Sequence, residues 1–445
     1  AVLQAPVDLI WNGGIGTYVK SQDETHADVG DRANELVRIN GNQLRVKVFG
    51  EGGNLGMTQR GRIEFAQNGG RLYTDAIDNS GGVNCSDHEV NIKILLGNIV
   101  AQGDMTLKQR NELLAKMTDD VGELVLRQNY LQPQAIELSA KEGVQHLSLH
   151  QKFMQYLESQ DRLDRTIEYL PTDEVILARQ KTQKGLTNPE LAVILAYGKM
   201  WVYDNLLASD VPDDSYFIQE LSKYFPNLLA KHYFEQMTTH PLHREIISTY
   251  LTNSLVNRLG IELVYQLFDE THHSVATLTR AYSIVRDLFD VSQHWQMIEA
   301  LDNQVAANLQ LQLEIQLRQA LSQSMNWLLT TFGDKIAVNA LVGKLKAGVQ
   351  TLMAEHGILT QHFSESLNTA KQQLNEQGLP DTVQHLFAVL PFYAQVLDAV
   401  WLAEQRNQPV DSVAQVYFAT YDLLHIDWLG QQAQQLPQHS YWERR

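Results

Sequence analysis

The sequence predicts an α/β segment followed by a large all-α region. Three observations carry this expectation. Over roughly the first hundred residues, short β-branched runs alternate with helix-like stretches, and glycine-rich turns follow the runs. From Ser86 to about Leu429, apolar residues recur at helical spacing almost without interruption. Several stretches of that second part open on Ser or Thr followed three residues later by Glu or Gln, a pattern by which a helix start satisfies its own free N–H groups.

In order along the chain, Val7-Asp8-Leu9-Ile10-Trp11 reads as a buried strand that ends in Asn12-Gly13-Gly14-Ile15-Gly16. Asp28 to Val37 is expected as a short helix. Leu44 to Phe49 alternates, with β-branched residues on one face, and predicts a second strand ending in Gly50-Glu51-Gly52-Gly53-Asn54. Thr58 to Ala66 is helix-like and closed by Gly69-Gly70. Arg71 to Ile77 is a third strand candidate, running into Asp78-Asn79-Ser80-Gly81-Gly82. In open α/β sheets, ligands bind outside the carboxyl ends of the strands, where all three glycine turns fall.

In the helical part, Ser86 to Glu89, Thr106 to Gln109 and Thr187 to Glu190 each have capping-box spacing, the last with Pro189 in the first turn, where its missing N–H costs nothing. Breaks are expected at Pro171, Pro212, Pro226, Pro241, Gly260, Gly333, Gly357, Pro380 and Pro409. Trp295 to Phe332 is expected as one very long helix. The domain organisation that follows is an α/β part over residues 1–100 and a helical part over residues 101–445, with a further break near 171–186.

Composition narrows the function. A net charge of −17 repels nucleic-acid phosphates and anionic lipid, so neither is expected as a partner. A single cysteine, Cys85, forbids an intramolecular disulfide and fits a reducing cytoplasm. Apolar runs fall short of the roughly 20 residues that span a bilayer. The start, Ala1-Val2-Leu3-Gln4, has no initiator Met, no secretory signal and a strand-like run close behind it, as expected of a piece of a longer polypeptide.

The candidate chemistry lies in the turns. Asn12 to Gly16 is glycine-rich, but its spacing is not the Gly-x-Gly-x-x-Gly of a pyrophosphate loop. The next two turns each join an Asn to glycines at a strand end. A ribose or a carboxamide needs donors and acceptors together, which an amide side chain supplies. Taken singly, either turn is ordinary, since Asn and Gly are standard turn residues. His26 and His88, with Asp28 and Asp87, match no standard metal spacing, and His240, His243, His272 and His273 fall near helix ends. Cys85 is expected to be a small buried side chain. Glu51 and Glu190 have no evident carboxylate partner for acid–base work. Trp201, Trp295, Trp327, Trp401 and Trp428 are expected in core or interface.

Taken together, these motifs resemble glutamate dehydrogenases. That family carries a strand followed by Glu-Gly-Ala-Asn, then Thr-Thr opening a helix, then a strand with Pro-Asp. Asn-Ala-Gly-Gly-Val-Thr-x-Ser, an aromatic pair and Glu come next. Here the chain reads Glu51-Gly52-Gly53-Asn54, Thr58, Thr74-Asp75, and Asn79-Ser80-Gly81-Gly82-Val83-Asn84-Cys85-Ser86-Asp87-His88-Glu89. Trp11 to Tyr18, Thr74 to Ser80 and Leu186 to Val193 are similar to the very large bacterial NAD-specific glutamate dehydrogenases, and that likeness covers essentially the whole chain. The motifs shared with ordinary glutamate dehydrogenases stop near residue 100.

The resemblance implies the last strands of a Rossmann-like dinucleotide-binding domain, followed by a helical region. It implies NAD as cofactor and oxidation of L-glutamate to 2-oxoglutarate and ammonium. It places Asn54 against the nicotinamide ribose, Asn79 toward the nicotinamide, and Gly53, Gly13 and Gly14 beside the cofactor. Ser86 would contact the side-chain carboxylate of glutamate. Asp87 and His88 stand where the family has its aromatic pair, so the packing there must differ. The family's proton-transferring lysine and carboxylate lie upstream, and no matching lysine-bearing motif occurs here. No catalytic residue and no metal are therefore expected in this chain, and alone it should be inactive. Its expected partners are the upstream catalytic and N-terminal regions of the same polypeptide, within a homo-oligomer. Two other readings stand beside this one: a helical assembly or regulatory scaffold with a non-binding α/β remnant, and a dehydrogenase of another amino acid.

Overall fold

The computed structural model describes residues 2–354 and 357–434. The chain divides into two units, Ala1–Glu262 and Leu263–Arg445.

The first unit opens with short parallel strands: β1 (Leu9–Asn12), β2 (Val19–Lys20), β3 (Ile39–Asn40) and β4 (Val48–Glu51). β1 pairs with β4, with Leu9 opposite Val48 and Asn12 opposite Glu51, and β2 pairs with β3. Val19, Leu44, Val46, Phe49, Met57, Phe65 and Leu72 form the small core beneath them.

The helix expected over Asp28 to Val37 is shorter and begins earlier, as α1 (His26–Val29). Thr25 and Asp28 make a capping box at its start, and Gly30, at φ 75°, ends it in the left-handed region that suits glycine. α2 (Gln59–Gln67) starts at Thr58, as read from the sequence, with the Thr58 hydroxyl accepting the Gly61 N–H at 3.0 Å. The third strand candidate reduces to one bridge, Arg71 to Val48. Beyond it Thr74 precedes a single helical turn, α3 (Asp75–Asp78), whose acidic ends suit a helix start.

α4 (Ser80–Ala101) follows at once, so the expected turn at Asp78 to Gly82 is a helix start, and Ser86 to Glu89 lies inside the helix. A tertiary bond explains the shift. The Ser80 hydroxyl donates to Asn129 Oδ1 at 2.8 Å and anchors the first turn six residues before the local capping signal. Asn129 belongs to α6 (Thr118–Ser159), which follows α5 (Leu107–Lys116) and its Thr106–Gln109 capping box. α6 continues through Pro133. A mid-helix proline costs about 3 kcal/mol, here offset by packing against α4 and, further on, α8 (Asn188–Leu207). Between them lies α7 (Asp173–Lys181). The Thr187–Glu190 capping box opens α8 as expected. α9 (Ser215–Ile218), α10 (Leu221–Tyr224) and α11 (Asn227–Thr238) lead to α12 (His243–Thr271), which kinks at Gly260, at φ 76°.

The second unit begins within α12. It contains α13 (Val275–Leu288), α14 (Val291–Glu299), α15 (Ala307–Phe332), α16 (Val338–Met353), α17 (Ile358–His362), α18 (Ser364–Glu376), α19 (Asp381–Val389), α20 (Tyr393–Arg406), α21 (Val410–Leu423) and α22 (Ile426–Gln434). Its core is built by α13 against α15 and α16, and by α20 against α15, α16 and α21. The single helix expected from Trp295 to Phe332 is two, α14 and α15. Asn303, left-handed at φ 61°, turns the chain between them, a conformation an Asn side chain tolerates. The stretch Asp381–Arg406 is long and apolar enough to cross a bilayer, and 67% of its most apolar window is buried inside the structure. Of the tryptophans, Trp201 and Trp295 are core residues, whereas Trp428 is 57% exposed.

Trp201 of α8 is 2% exposed and meets Phe153 and Tyr156 of α6 edge-on, with ring centroids 5.6 and 5.9 Å away. Trp201→Ala should lower the stability of the first unit by about 3–5 kcal/mol. Urea unfolding followed by circular dichroism measures this; a loss near zero would contradict the packing.

Candidate functional site

Three segments meet at the carboxyl ends of β1 and β4: the turn after β1, the loop after β4, and the residues joining α3 to α4. Gly53 N–H donates to the Asn12 carbonyl at 2.9 Å. Gly53 lies so close to the first turn that a methyl group there would be 2.5 Å from the Gly14 carbonyl oxygen. The alanine that ordinary glutamate dehydrogenases carry at this place therefore does not fit here. Asn79 Nδ2 donates to Asn54 Oδ1 at 2.8 Å and to the Glu51 carbonyl at 3.3 Å. Four of the expected cofactor residues, Asn54, Asn79, Gly53 and Gly14, are thus brought together, with Gly13 adjoining. Asn12, which the sequence reading did not single out, stands in the same place, with its Nδ2 buried and without a hydrogen-bond partner among the described residues.

The glycines divide by role. At Gly50 and Gly52 an added methyl would strike the Trp11 indole, at 2.4 and 2.6 Å, so the protein's own tryptophan takes the approach that the sequence suggested for a ligand. In front of Gly14 there is open space, and Gly13 has only Trp11 at 4.0 Å. Those two keep an approachable backbone.

Beneath the loop lies a charge network that sequence reasoning missed. Glu51 is fully buried. Its carboxylate accepts Arg62 Nε at 2.6 Å, Arg62 Nη2 at 3.0 Å and the Met57 N–H at 2.9 Å. Arg62 Nη2 also reaches Asp75 Oδ1 at 3.1 Å. Asp75 Oδ2 accepts the Leu55 N–H, and Asp78 Oδ2 accepts the Glu51 N–H, both at 2.8 Å. Each acid takes a backbone donor from the end of β4 or from the loop that follows it. Leu55 is left-handed, at φ 57°, which costs a non-glycine residue roughly 1–2 kcal/mol. Its N–H bond to Asp75 and the Thr17 hydroxyl on its carbonyl, at 2.7 Å, hold it there. Burial raises the Glu51 carboxyl, against the pull of Arg62, and burial pushes Asp78 up to about 6. The available signal was Arg62 on the same helix face as buried Phe65, three residues on, close to an acid inside a glycine loop.

Ser86 is exposed on α4, seven residues beyond Asn79 and therefore on the same helix face, about 10 Å further along. It makes no hydrogen bond to the asparagine pair. It lies in the second turn of α4, so its expected place at a helix start is corrected. Cys85, expected to be buried, is exposed, because it falls on the open side of a helix that begins earlier than its local signals indicate. Asp87 and His88 face the other way, toward Tyr224. Glu190 is paired through both oxygens with Arg179 at 2.8 Å. Among the described residues, no group of three or more His, Cys, Asp or Glu is placed to hold a metal ion.

Comparison with known proteins agrees along the whole chain. Residues 183–445 match the family model described as glutamate dehydrogenase, C-terminal, and residues 1–139 match that of the bacterial NAD-glutamate dehydrogenase catalytic domain. An NAD-specific glutamate dehydrogenase of Halomonas elongata is 41% identical over 448 residues, covering 100% of this chain and 28% of that protein. One of Pseudomonas aeruginosa is 43% identical over 444 residues, covering 100% and 27%. One of Mycobacterium tuberculosis is 37% identical over 450 residues, covering 99% and 27%. The chain thus spans 27–28% of the length of these relatives.

Removing the cation from the buried network should be costly. Arg62→Met leaves Glu51 and Asp75 unpaired and should destabilise the first unit by about 3–5 kcal/mol, read as a lower urea midpoint; an unchanged midpoint would show that the network is dispensable. Asp78 supplies a pH test. Its folded value, about 6, lies above its ordinary 3.8, so its contribution is fully present below 3.8 and is lost as pH rises through about 6. Relative to the wild type, Asp78→Asn should therefore gain thermal stability between pH 4 and 7; a pH-independent difference in Tm counts against the burial of this acid.

Proposed function

The chain belongs to the C-terminal part of the bacterial NAD-specific glutamate dehydrogenase family, and from that premise we propose that it carries the nicotinamide side of an NAD site in an enzyme converting L-glutamate to 2-oxoglutarate and ammonium. The observation that carries this reading is the Asn54–Asn79 pair at the strand ends, beside the bare backbone of Gly13 and Gly14. Their mutual bond leaves Asn54 Nδ2 as a donor and Asn79 Oδ1 as an acceptor, the combination that a ribose or a carboxamide needs.

NAD, when bound, takes the hydride from the α-carbon of glutamate. This chain's residues bind and orient. Asn54 meets the nicotinamide ribose and Asn79 the nicotinamide, while Gly13 and Gly14 keep side chains out of the way and Gly53 lets its loop close onto Gly14. Ser86 offers its hydroxyl to the side-chain carboxylate of glutamate. Because Ser86 is inside α4, it does so without the free N–H groups of a helix start. Proton transfer falls to a lysine and a carboxylate outside this chain, so this chain by itself should turn over no glutamate.

In this reading, residues 1–100 are the end of a Rossmann-like domain and residues 101–445 a helical region attached to it. The bare side of β1 supports the first part. Parallel strands are normally covered on both faces, yet Leu9 is 55% and Trp11 59% exposed. Other regions of the same polypeptide would cover them.

In the full-length enzyme, Asn54→Ala and Asn79→Ala should each raise KM for NAD by about 3–10-fold, the worth of a neutral hydrogen bond, with KM for glutamate less affected. Ser86→Ala should raise KM for glutamate by about 10-fold or more, since the lost bond is to a charged group. Steady-state kinetics with glutamate, leucine and phenylalanine checks both claims. Unchanged KM for NAD in both asparagine variants, or a preference for leucine or phenylalanine, would sink the assignment.

A further inference from the structure

α4 is the element that presents Ser86, and its opposite face is clamped by residues from the helical region. Asp87, His88 and Asn91 lie between 100° and 200° around the helix from Ser86. Tyr224, at the end of α10 and 6% exposed, engages all three. Its hydroxyl donates to Asp87 Oδ2 at 2.8 Å and accepts Asn91 Nδ2 at 2.8 Å. Its ring lies against the His88 imidazole, with centroids 4.6 Å apart and planes tilted by 31°. A second contact comes from His240, which is 1% exposed. His240 Nδ1 accepts the Leu242 N–H at 3.0 Å, so Nε2 carries the proton and donates to the Asn91 carbonyl at 3.1 Å.

The departures of this sequence from ordinary glutamate dehydrogenases are complementary. Where the family has two aromatic residues, this chain has Asp87 and His88, an acceptor and a flat ring. Tyr224 supplies the missing aromatic ring and a hydroxyl that fits the acceptor. It does so from the stretch that matches the C-terminal family model, while α4 lies in the stretch that matches the catalytic domain.

We infer that Tyr224 is a positioning residue: bonded to Asp87 and Asn91 and packed on His88, it sets the height and rotation of α4 and so places Ser86 for glutamate. This rests on the reading of Ser86 given above. Asn79 is held separately, by Asn54 and Glu51, so the brace acts on the substrate side of the site more than on the cofactor side.

The test is Tyr224→Phe in the full-length enzyme, which keeps the ring and removes only the hydroxyl, with Ser86→Ala and Asp87→Asn in parallel. Asp87→Asn retains an oxygen that can accept from Tyr224. Tyr224→Phe should raise KM for glutamate by about 10-fold, the scale on which small misplacements act, and leave KM for NAD within about twofold. Asp87→Asn should stay near wild type. Amide hydrogen exchange should quicken across residues 83–91 and not elsewhere. Unchanged exchange there overturns the inference, as does an unchanged KM for glutamate in Tyr224→Phe when Ser86→Ala raises it. Equal rises in both KM values with a lower Tm also overturn it, since they indicate general loosening. If exchange quickens and neither variant moves KM for glutamate, the assignment of Ser86 fails and the brace stands as a support of α4 alone.

Discussion

The Arg62 guanidinium holds the candidate site in shape. It is the cation facing the buried Glu51 and the part-buried Asp75, and those acids, with Asp78, take the N–H groups of Met57, Leu55 and Glu51. Without it the loop after β4 would have to bury unpaired carboxylates or release its backbone donors to water. A buried ion pair adds little net stability over an apolar pair of the same shape, but losing one partner is expensive. The arrangement therefore does more to specify one loop conformation than to stabilise the unit. That conformation carries Gly53 onto Gly14 and leaves Asn54 within reach of Asn79.

The same economy of space appears in the glycines. Gly50 and Gly52 admit the Trp11 indole, Gly53 admits a backbone, Gly56 faces the Asn12 side chain and Gly16 that of Asn34, so the space beside each of these five glycines is taken by the protein itself. Only where the backbone is left open, at Gly13 and Gly14, does glycine serve the approach of something else. The helical region contributes in turn to the geometry of the site. α4 is bonded to α6 at its first turn through Ser80 and Asn129, and to Tyr224 and His240 further along. The segment that bears the family's motifs is thus shaped from the segment that carries no recognisable chemistry.

Much of this was legible before the structure. Thr106 and Thr187 open helices where their spacing to Gln109 and Glu190 says they should, because a cap is a local device made between residues three apart. The same logic failed at Ser86. Its spacing to Glu89 is right, but Ser80 finds a partner 49 residues away and starts the helix first. The strand expected from Arg71 failed in a related way. One residue bridges to β4, and then Asp75 and Asp78 are taken up by the loop they support. The long helix through Trp295 was over-read, since apolar periodicity continues across a turn made by Asn303.

By itself the sequence determined the mostly helical character of the chain after a few short strands, several of its helix starts and breaks, and the pair of asparagines named for the candidate cofactor site. These rest on interactions between near neighbours or on motifs preserved in order. Only the tertiary structure decided which way α4 faces, what Arg62 is for, and why Gly53 cannot be alanine. Each of those depends on atoms distant in sequence meeting in a space with no room for an added methyl group or an unpaired charge, and no local pattern records such a meeting.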